Sequence, residues 1–441
     1  MYTLLSIGRG ESFWGKQYFD SPKLFEEAGI VPESFLVSEF TTEEFDRVVE
    51  TYPEQDIDAV LVHKVNAARE IVDMGLYEDA SLFIAGHTAL GVKQLEVLRE
   101  VLDSGRQVYL FTGSIRAARS FYVAGYENLQ IVVAPIMGRS CREEARLPQN
   151  FKKEPNKTHD IGFFSVITRK KRPHRVLETA NAVAEELGET LDVWIAGSNP
   201  IHETAYPKLF IELVESSHYD NIDVEYHGHM RYPELFDTVQ KTRLMYLPAV
   251  KKSETNSYAA WETVCFDIPL VGSDWAGIGE AIQHARHPDS RKVPVTTLNQ
   301  FKSIFPDSVK EAHPEMVEET VSEVNPMKPH VMIDEEAAQH ALIEGLTGDS
   351  SHTREFKIPE RMRPETTIKS FVDILNGDLI TVRDMPGGMR KHPERDKDNM
   401  VTSSDCDVLH TSHGYSILRD PVYRTPSLHL TSSCPPHSDN S

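Results

Sequence analysis

Long hydrophobic runs are missing from this sequence of 441 residues. No apolar stretch approaches the roughly 18 residues that a membrane-spanning helix needs, so we expect no transmembrane segment. The opening residues, MYTLLSIGRGESFWG, also lack the basic start, the apolar core and the small-residue cleavage site of a secretory signal. We therefore expect a cytoplasmic protein.

Cysteine and positive charge are both scarce. The four cysteines form no C-x-x-C pair and have no histidine at zinc-ligand spacing, so we expect free thiols: Cys141, Cys265, Cys406 and Cys434. Acidic residues outnumber lysine and arginine by 68 to 46, for a formal net charge of -22. This charge disfavours long-range attraction to nucleic acid or acidic lipid, although it is also typical of proteins from a salt-rich habitat.

Two common signatures of metal and cofactor sites are absent. Gly8, Gly10 and Gly15 miss the G-x-G-x-x-G spacing, which argues against NAD. The one D-x-D motif within the predicted domains, Asp56-Ile57-Asp58, precedes a predicted strand and is read as a turn. The sequence therefore predicts no bound metal and no cofactor.

Strand-like apolar runs alternate with helix-like segments from the start of the chain. The helix-like segments 66–76 and 90–103 have apolar residues recurring at intervals of three and four. The strand-like runs cover 2–7, 58–63, 81–87, 107–113 and 129–135. This alternation is typical of a parallel, doubly wound sheet.

A second alternation begins beyond a polar, proline-containing linker at 146–160. The sequence thus predicts an α/β protein with two Rossmann-like domains, 1–150 and 158–350, facing across a cleft. Ligands of such sheets bind at the carboxyl ends of the strands. The remaining segments are predicted to be an insertion at about 285–330, a closing helix within 360–378 and a disordered tail over 380–441.

The most informative stretch is SETNSYAAWETVCFDIPLVGSDWAGIGEAI, residues 253–282, in which Glu254 and Glu262 are separated by seven residues. Between them stand three residues that can begin a helix whose free N–H groups face a phosphate: Thr255, Asn256 and Ser257. Glu262 would then lie in the helix, where it could accept hydrogen bonds from a ribose, and Glu254 could reach the donor sugar. The alternative is an amphipathic helix with two solvated glutamates.

A basic run, ITRKKRPHR at 167–175, lies between the first strand of the second domain and its helix. Arg169, Lys171 and Arg172 could hold a diphosphate and stabilise the charge that develops on a leaving nucleotide. In that role the cations would replace a metal ion. The alternatives are a solvated loop or a nucleic-acid patch.

Together these motifs resemble the retaining glycosyltransferases of family 4. Asp267 stands where that family usually has Gly, and Tyr258 where it often has Gly or Leu. The resemblance implies the GT-B fold, with catalytic roles for Glu254, His87, Arg172 and Lys171. It further implies base contacts from His229 and Met230, a cleft histidine at His87 and a glycine loop containing Gly10.

The resemblance also implies a reaction: transfer of a sugar, with retention, from a UDP- or GDP-type donor. The acceptor stays open among a glycan, a lipid-linked molecule, a small molecule and modified DNA. Two rivals stay open as well: an epimerase or hydrolase acting on the same donor, and a GT-B protein that binds a nucleotide or nucleic acid without turnover.

Overall fold

The computed structural model describes most of the two predicted domains and parts of the segments around them. The described residues are 1–9, 22–86, 92–114, 118, 126, 128–133, 151–153, 155–200, 205–216, 218–250, 257–298, 311, 330–348, 352–377, 382–383, 407–411 and 416–419. Among them, no helix has both the length and the apolar character that crossing a membrane demands.

The first domain is built on six parallel strands in the order β2-β1-β3-β4-β5-β6. The inner strands read as nearly unbroken apolar runs because helices cover both faces of the sheet. The strands are β1 (Tyr2–Arg9), β2 (Ile30–Val37), β3 (Ala59–Val62), β4 (Ser81–Gly86), β5 (Val108–Thr112) and β6 (Leu129–Val133). The helices are α1 (Pro22–Glu27), α2 (Thr42–Thr51), α3 (Val65–Asp73) and α4 (Val92–Asp103).

The second domain has its own sheet of six parallel strands in the order β12-β11-β10-β7-β8-β9. Its strands are β7 (His159–Phe164), β8 (Leu191–Ala196), β9 (Ile222–Gly228), β10 (Thr242–Leu247), β11 (Leu270–Ser273) and β12 (Arg291–Val293). The helices around it are α5 (Pro173–Leu187), α6 (Ala205–Glu215), α7 (Tyr232–Gln240), α8 (Tyr258–Cys265), α9 (Ala276–Gln283) and α10 (Glu335–Thr347).

The segment predicted as an insertion, 285–330, belongs in part to the domain itself. β12 extends the parallel sheet beside β11, and β13 (Val295–Leu298) pairs antiparallel with β14 (His330–Ile333). The sequence RKV offers no apolar run, so its strand character comes from pairing with β11 rather than from its own pattern.

The tail 380–441, predicted to be disordered, contains three short strands in the structure. β15 (Val382–Arg383), β16 (Asp407–Thr411) and β17 (Ser416–Arg419) continue the first sheet antiparallel from β6. The register pairs Val408 with Leu418 and Leu409 with Ile417, so the two strands are composed of apolar residues that favour strands at these positions. This local apolar content outweighs the polar composition of the tail as a whole.

The chain returns to the first domain after α10. Helix α11 (Pro364–Leu375) lies within the predicted closing helix, and its Ile368 and Phe371 are buried in a core cluster of the first domain. The Phe371 ring stacks on Phe111 of β5 at 4.4 Å between centroids. The first domain is therefore completed by residues from the far end of the chain.

Candidate functional site

The predicted site residues divide into those that the structure describes and those that it does not. Seven are described, and they lie in loops that follow strands of the second sheet at its carboxyl end, or in the first two turns of the helices after those loops: Arg169, Lys171, Arg172, His229, Met230, Ser257 and Glu262. Five predicted residues lie outside the described residues: Gly10, His87, Glu254, Thr255 and Asn256.

Three neighbouring strand ends of the second domain are joined by backbone hydrogen bonds. The amide of Ser165 donates to Ala196 O at 3.0 Å, and the amide of Gly197 donates to Gly228 O at 2.7 Å. Gly197 lies so close to the carbonyl oxygen of Ser165 that a Cβ there would collide with it. Position 197 thus requires glycine. The strand ends at this edge are closely packed, and the predicted phosphate and base loops follow directly from them.

The cationic loop makes a tight turn just before helix α5. The amides of Lys171 and Arg172 donate to Thr168 O at 3.0 and 3.1 Å. Arg172 has the left-handed backbone conformation, with φ 58°, and is the N-cap of α5 with Pro173 at the first position. Proline suits a helix start because it has no N–H to leave unpaired. The turn therefore fixes the direction in which the Arg172 side chain leaves the backbone.

Positive charge is concentrated at this loop. Burial, together with the nearby guanidinium groups of Arg175 and Arg169, lowers the pKa of Arg172 to about 10. An arginine stays charged at neutral pH even so, and placing several cations together costs electrostatic energy. An anion bound at the loop would remove that cost, so the arrangement favours a phosphate ligand.

A partly buried ion cluster lies behind the loop, and nothing in the sequence analysis predicted it. Arg175 is 8% exposed, and its Nη1 contacts Glu178 Oε2 at 2.6 Å and Glu335 Oε1 at 2.8 Å. Burial raises the pKa of Glu178 to about 6. The pairing assigns Arg175 to holding α5 against α10. The i, i+3 spacing of Arg175 and Glu178 was readable in the sequence, but Glu335 is too distant in the chain to have been recognised.

Glu262 is buried, contrary to the alternative of a solvated glutamate. It is 3% exposed and accepts a hydrogen bond of 2.6 Å from the Tyr232 hydroxyl. Tyr232 begins helix α7 directly after the loop that carries His229, which is exposed, and Met230, which packs against the core. The contact brings the predicted ribose-binding carboxylate beside the predicted base-binding loop.

Helix α8 begins where the capping residues predicted a helix start. Its N-cap is Ser257, which is 4% exposed, and the amide of Trp261 makes the first helical bond to Ser257 O at 3.0 Å. The Ser257 side chain makes no capping hydrogen bond of its own. Glu262 therefore lies in the second turn of a helix that starts at the same sheet edge.

The first domain has a polar pair at the carboxyl end of β3 that sequence reasoning also missed. His63 Nε2 lies 2.8 Å from the Ser6 hydroxyl of β1, and both side chains are buried. Burial lowers the pKa of His63 to about 4, so its ring is neutral at physiological pH. The signal was present, since His63 directly follows an apolar run just as His87 does.

The D-x-D motif forms a turn and stabilises the sheet. Asp56 ends a short 3-10 helix, Glu54–Asp56, and Asp58 Oδ2 accepts a hydrogen bond of 2.7 Å from the amide of Thr3. Within the described part of the chain, no three His, Cys, Asp or Glu side chains converge as metal ligands would.

Comparison with known proteins identifies the fold. No family model matches the chain and no curated protein matches its sequence. A glycosyltransferase from Rickettsia africae aligns over 86% of this chain and 99% of its own, with 13% identity and a TM-score of 0.54. Anabaena HepE, solved with UDP, aligns over 86% of this chain and 100% of its own, with 14% identity and a TM-score of 0.51. Sucrose-phosphate synthase from Thermosynechococcus elongatus aligns over 86% of this chain and 99% of its own, with 10% identity and a TM-score of 0.52. The chain thus has the GT-B fold of two Rossmann-like domains.

Proposed function

We propose that this protein is a glycosyltransferase that moves a sugar from a nucleotide diphosphate donor to an acceptor. The observation that carries the proposal is the sharing of one sheet edge by a cation-rich loop at Arg172 and a buried carboxylate at Glu262, on the GT-B fold. A nucleotide diphosphate sugar has an anionic centre and a ribose diol, which match these two groups.

In this proposal Arg169, Lys171 and Arg172 hold the diphosphate. Negative charge grows on the β-phosphate as the bond to the sugar lengthens, so contacts from fixed cations strengthen toward the transition state. Such contacts lower the barrier rather than merely improving binding. They would supply without a metal ion the charge stabilisation that a divalent cation supplies elsewhere.

The second helix of the proposed donor site, α8, would contact the donor at two points. Amides at its start, with Glu254, Thr255 and Asn256 preceding Ser257, would face the phosphate and the sugar. Glu262 would accept hydrogen bonds from the ribose, with the Tyr232 hydroxyl fixing its orientation. His229 and Met230 would lie beside the base.

The acceptor would approach from the first domain, where Gly10, His87 and His63 are the candidate contacts. His63 is neutral and held by Ser6, so its ring could exchange hydrogen bonds with a hydroxyl without carrying charge. Transfer would proceed with retention through an oxocarbenium-like state, and the departing phosphate would take the proton of the acceptor hydroxyl. UDP is the first nucleotide to test, because HepE was solved with it.

Thermal shift with nucleotides tests donor binding directly. A ligand at 100 times its Kd stabilises the folded state by about 2.7 kcal/mol, which for a domain of this size raises Tm by roughly 5–10 °C. We expect UDP or GDP to raise Tm in the wild type and to lose that effect in Arg172→Ala. Arg291→Ala is the matched control, since Arg291 pairs with Glu344 outside the site. No shift with any nucleoside diphosphate would contradict the proposal.

Two assays separate the rival functions. Release of free sugar or rearranged donor without any acceptor would favour the hydrolase or epimerase. Binding of UDP with no donor consumption under any acceptor would favour a non-catalytic binding protein. Binding of duplex DNA that Arg169→Ala and Arg172→Ala abolish would assign the basic loop to nucleic acid instead.

A further inference from the structure

The two positions at which the donor motif departs from the family pattern, Tyr258 and Asp267, lie at opposite ends of helix α8. Asp267 contacts the part of the chain that runs from the second domain back to the first, residues 352–377, which we call the return segment. Tyr258 packs against a cluster to which the last helix of this segment contributes. The departures therefore have a common structural context, and the sequence alone gave no indication of it.

At the carboxyl end of α8, three successive residues contact the return segment. Cys265 O accepts a hydrogen bond of 2.9 Å from the amide of Lys357. The Phe266 and Phe356 rings pack edge to face at 5.2 Å. These contacts fix the carboxyl end of α8 to successive residues of the return segment.

Asp267 makes the most specific of these contacts. It is 2% exposed, and its Oδ2 accepts from the amide of Glu355 at 3.2 Å and lies 2.9 Å from His352 Nε2. Its φ of 57° is a conformation that glycine adopts without strain and that aspartate tolerates better than most residues. A carboxylate at this position thus gains contacts with the return segment at the cost of backbone strain.

At the amino end of α8, Tyr258 reaches the first domain. Its half-buried ring packs against the cluster that contains Ile368 and Phe371 of α11 together with Phe83 and Phe111 of the first sheet. Helix α8 consequently contacts the start of the return segment at one end and, at the other, a cluster that joins the terminal helix of this segment to the first sheet.

Both connections between the domains also meet at one place. Arg354 of the return segment is 2% exposed, and its guanidinium donates to Gln240 O at 2.5 Å and Thr242 O at 2.7 Å. Its amide donates to Lys153 O of the first connection at 3.2 Å. Both connections are therefore fixed to the second domain at this point, and α8 is fixed to the same return segment.

We propose that Tyr258 and Asp267 are positioning residues that fix the donor helix to the return segment and thereby set the position of the first domain relative to the donor. The inference rests on the proposed function. Because transfer requires reacting atoms within about 3–3.5 Å, a small error in domain position reduces transfer far more than nucleotide binding.

The test measures the distance between domains with paired spin labels. Labels at Leu36→Cys and Glu215→Cys are exposed and lie one in each domain, with Cys141, Cys406 and Cys434 replaced by serine. The variants are Asp267→Gly, which suits the backbone conformation, and Tyr258→Leu. Asp267→Asn and Tyr258→Phe are the conservative counterparts, and Asp237→Asn on α7 is a control for loss of a carboxylate.

We expect Asp267→Gly and Tyr258→Leu to broaden the distance distribution at least twofold, both without nucleotide and with UDP. The conservative variants should keep a distribution nearly as narrow as that of the wild type. The Kd for UDP should stay within twofold of the wild type. Unchanged distributions in folded Asp267→Gly and Tyr258→Leu would overturn the inference. Because the measurement without nucleotide is independent of UDP binding, failure of the wild type to bind UDP would contradict the proposed function alone.

Discussion

At the scale of single residues, chemistry and position could be predicted to different extents. Arg172 and Glu262 could be predicted as site residues because each lies within a local pattern, a cationic run before a helix and a carboxylate one to two turns into a helix. Arg175 was indistinguishable from its cationic neighbours until its pairing with Glu335, 160 residues away in sequence, was visible. Contacts between distant segments leave no local pattern.

Substitution of the loop cations tests the diphosphate site by kinetics. Arg172→Ala should lower kcat by about 10²–10³-fold, since a fixed donor to a developing negative charge is worth this much elsewhere. Lys171→Ala should also reduce turnover, whereas Arg291→Ala should leave it unchanged. Steady-state rates of donor consumption measure the effect, and wild-type rates in both loop variants would place the phosphate elsewhere.

The two glutamates should respond differently to neutralisation. Glu262→Gln weakens a ribose contact present in ground and transition states alike, so the donor KM should rise while kcat changes little. Glu254→Gln removes charge near the sugar, where positive character develops, so kcat should fall by about 10²-fold. Measurement of kcat and donor KM at saturating acceptor tests both expectations. Near-normal kinetics in both variants would show that the seven-residue spacing of the glutamates is unrelated to function.

Burial of His63 predicts acid sensitivity. Its pKa of about 4 in the folded protein is below the ordinary 6.5, so the unfolded chain binds a proton over a pH range where the folded chain does not. Stability is therefore lost as pH falls from about 6.5 to about 4, at up to roughly 1.4 kcal/mol per pH unit from this group. Urea unfolding at pH 7 and pH 5 should show a smaller loss in His63→Gln than in the wild type.

At the scale of elements, most strands could be predicted because buried parallel strands are apolar throughout. β2 was missed because its sequence, IVPESFLV, contains Pro, Glu and Ser, which suit an edge strand and interrupt the apolar pattern. β12 was missed because its pairing with β11 supplies what its sequence lacks. The central strands of a sheet can thus be predicted from their composition, whereas the edge strands depend on pairing with their neighbours.

The glycines of the donor edge provide a test at this scale. In Gly197→Ala the new methyl collides with Ser165 O, so neighbouring strand ends must separate, at a cost of about 1–3 kcal/mol. Gly228→Ala meets no atom within 4 Å and costs only the strain of its positive φ, about 1 kcal/mol. Denaturant midpoints should therefore fall further in Gly197→Ala, and an equal or reversed order would contradict the packing described at this edge.

At the scale of the whole molecule, the two domains could be predicted from one linker and two alternations, but the completion of the first domain by α11 could not. Nothing in the sequence PETTIKSFVDIL indicates which sheet it covers. The stacking of Phe371 on Phe111 joins positions 260 residues apart and is visible only in three dimensions.

Truncation tests this completion. A chain ending at Gly377 keeps α11 and loses, among the described residues, the three antiparallel strands beside β6. We therefore expect both domains still to unfold cooperatively in calorimetry. A chain ending at Arg363 exposes Phe83 and Phe111, and we expect the first domain to be unfolded while the second retains its transition. Equal thermograms would show that α11 adds nothing to the first domain.

The contribution of α11 also has a consequence for synthesis on the ribosome. The apolar face containing Phe83 and Phe111 leaves the ribosome early, but Phe371, which packs on both, is made only after the entire second domain. At about 5–20 residues per second this face waits roughly 13–52 s for its cover. The second domain can therefore fold first, although it is made second. The incompletely folded first domain is the state to which a chaperone would bind.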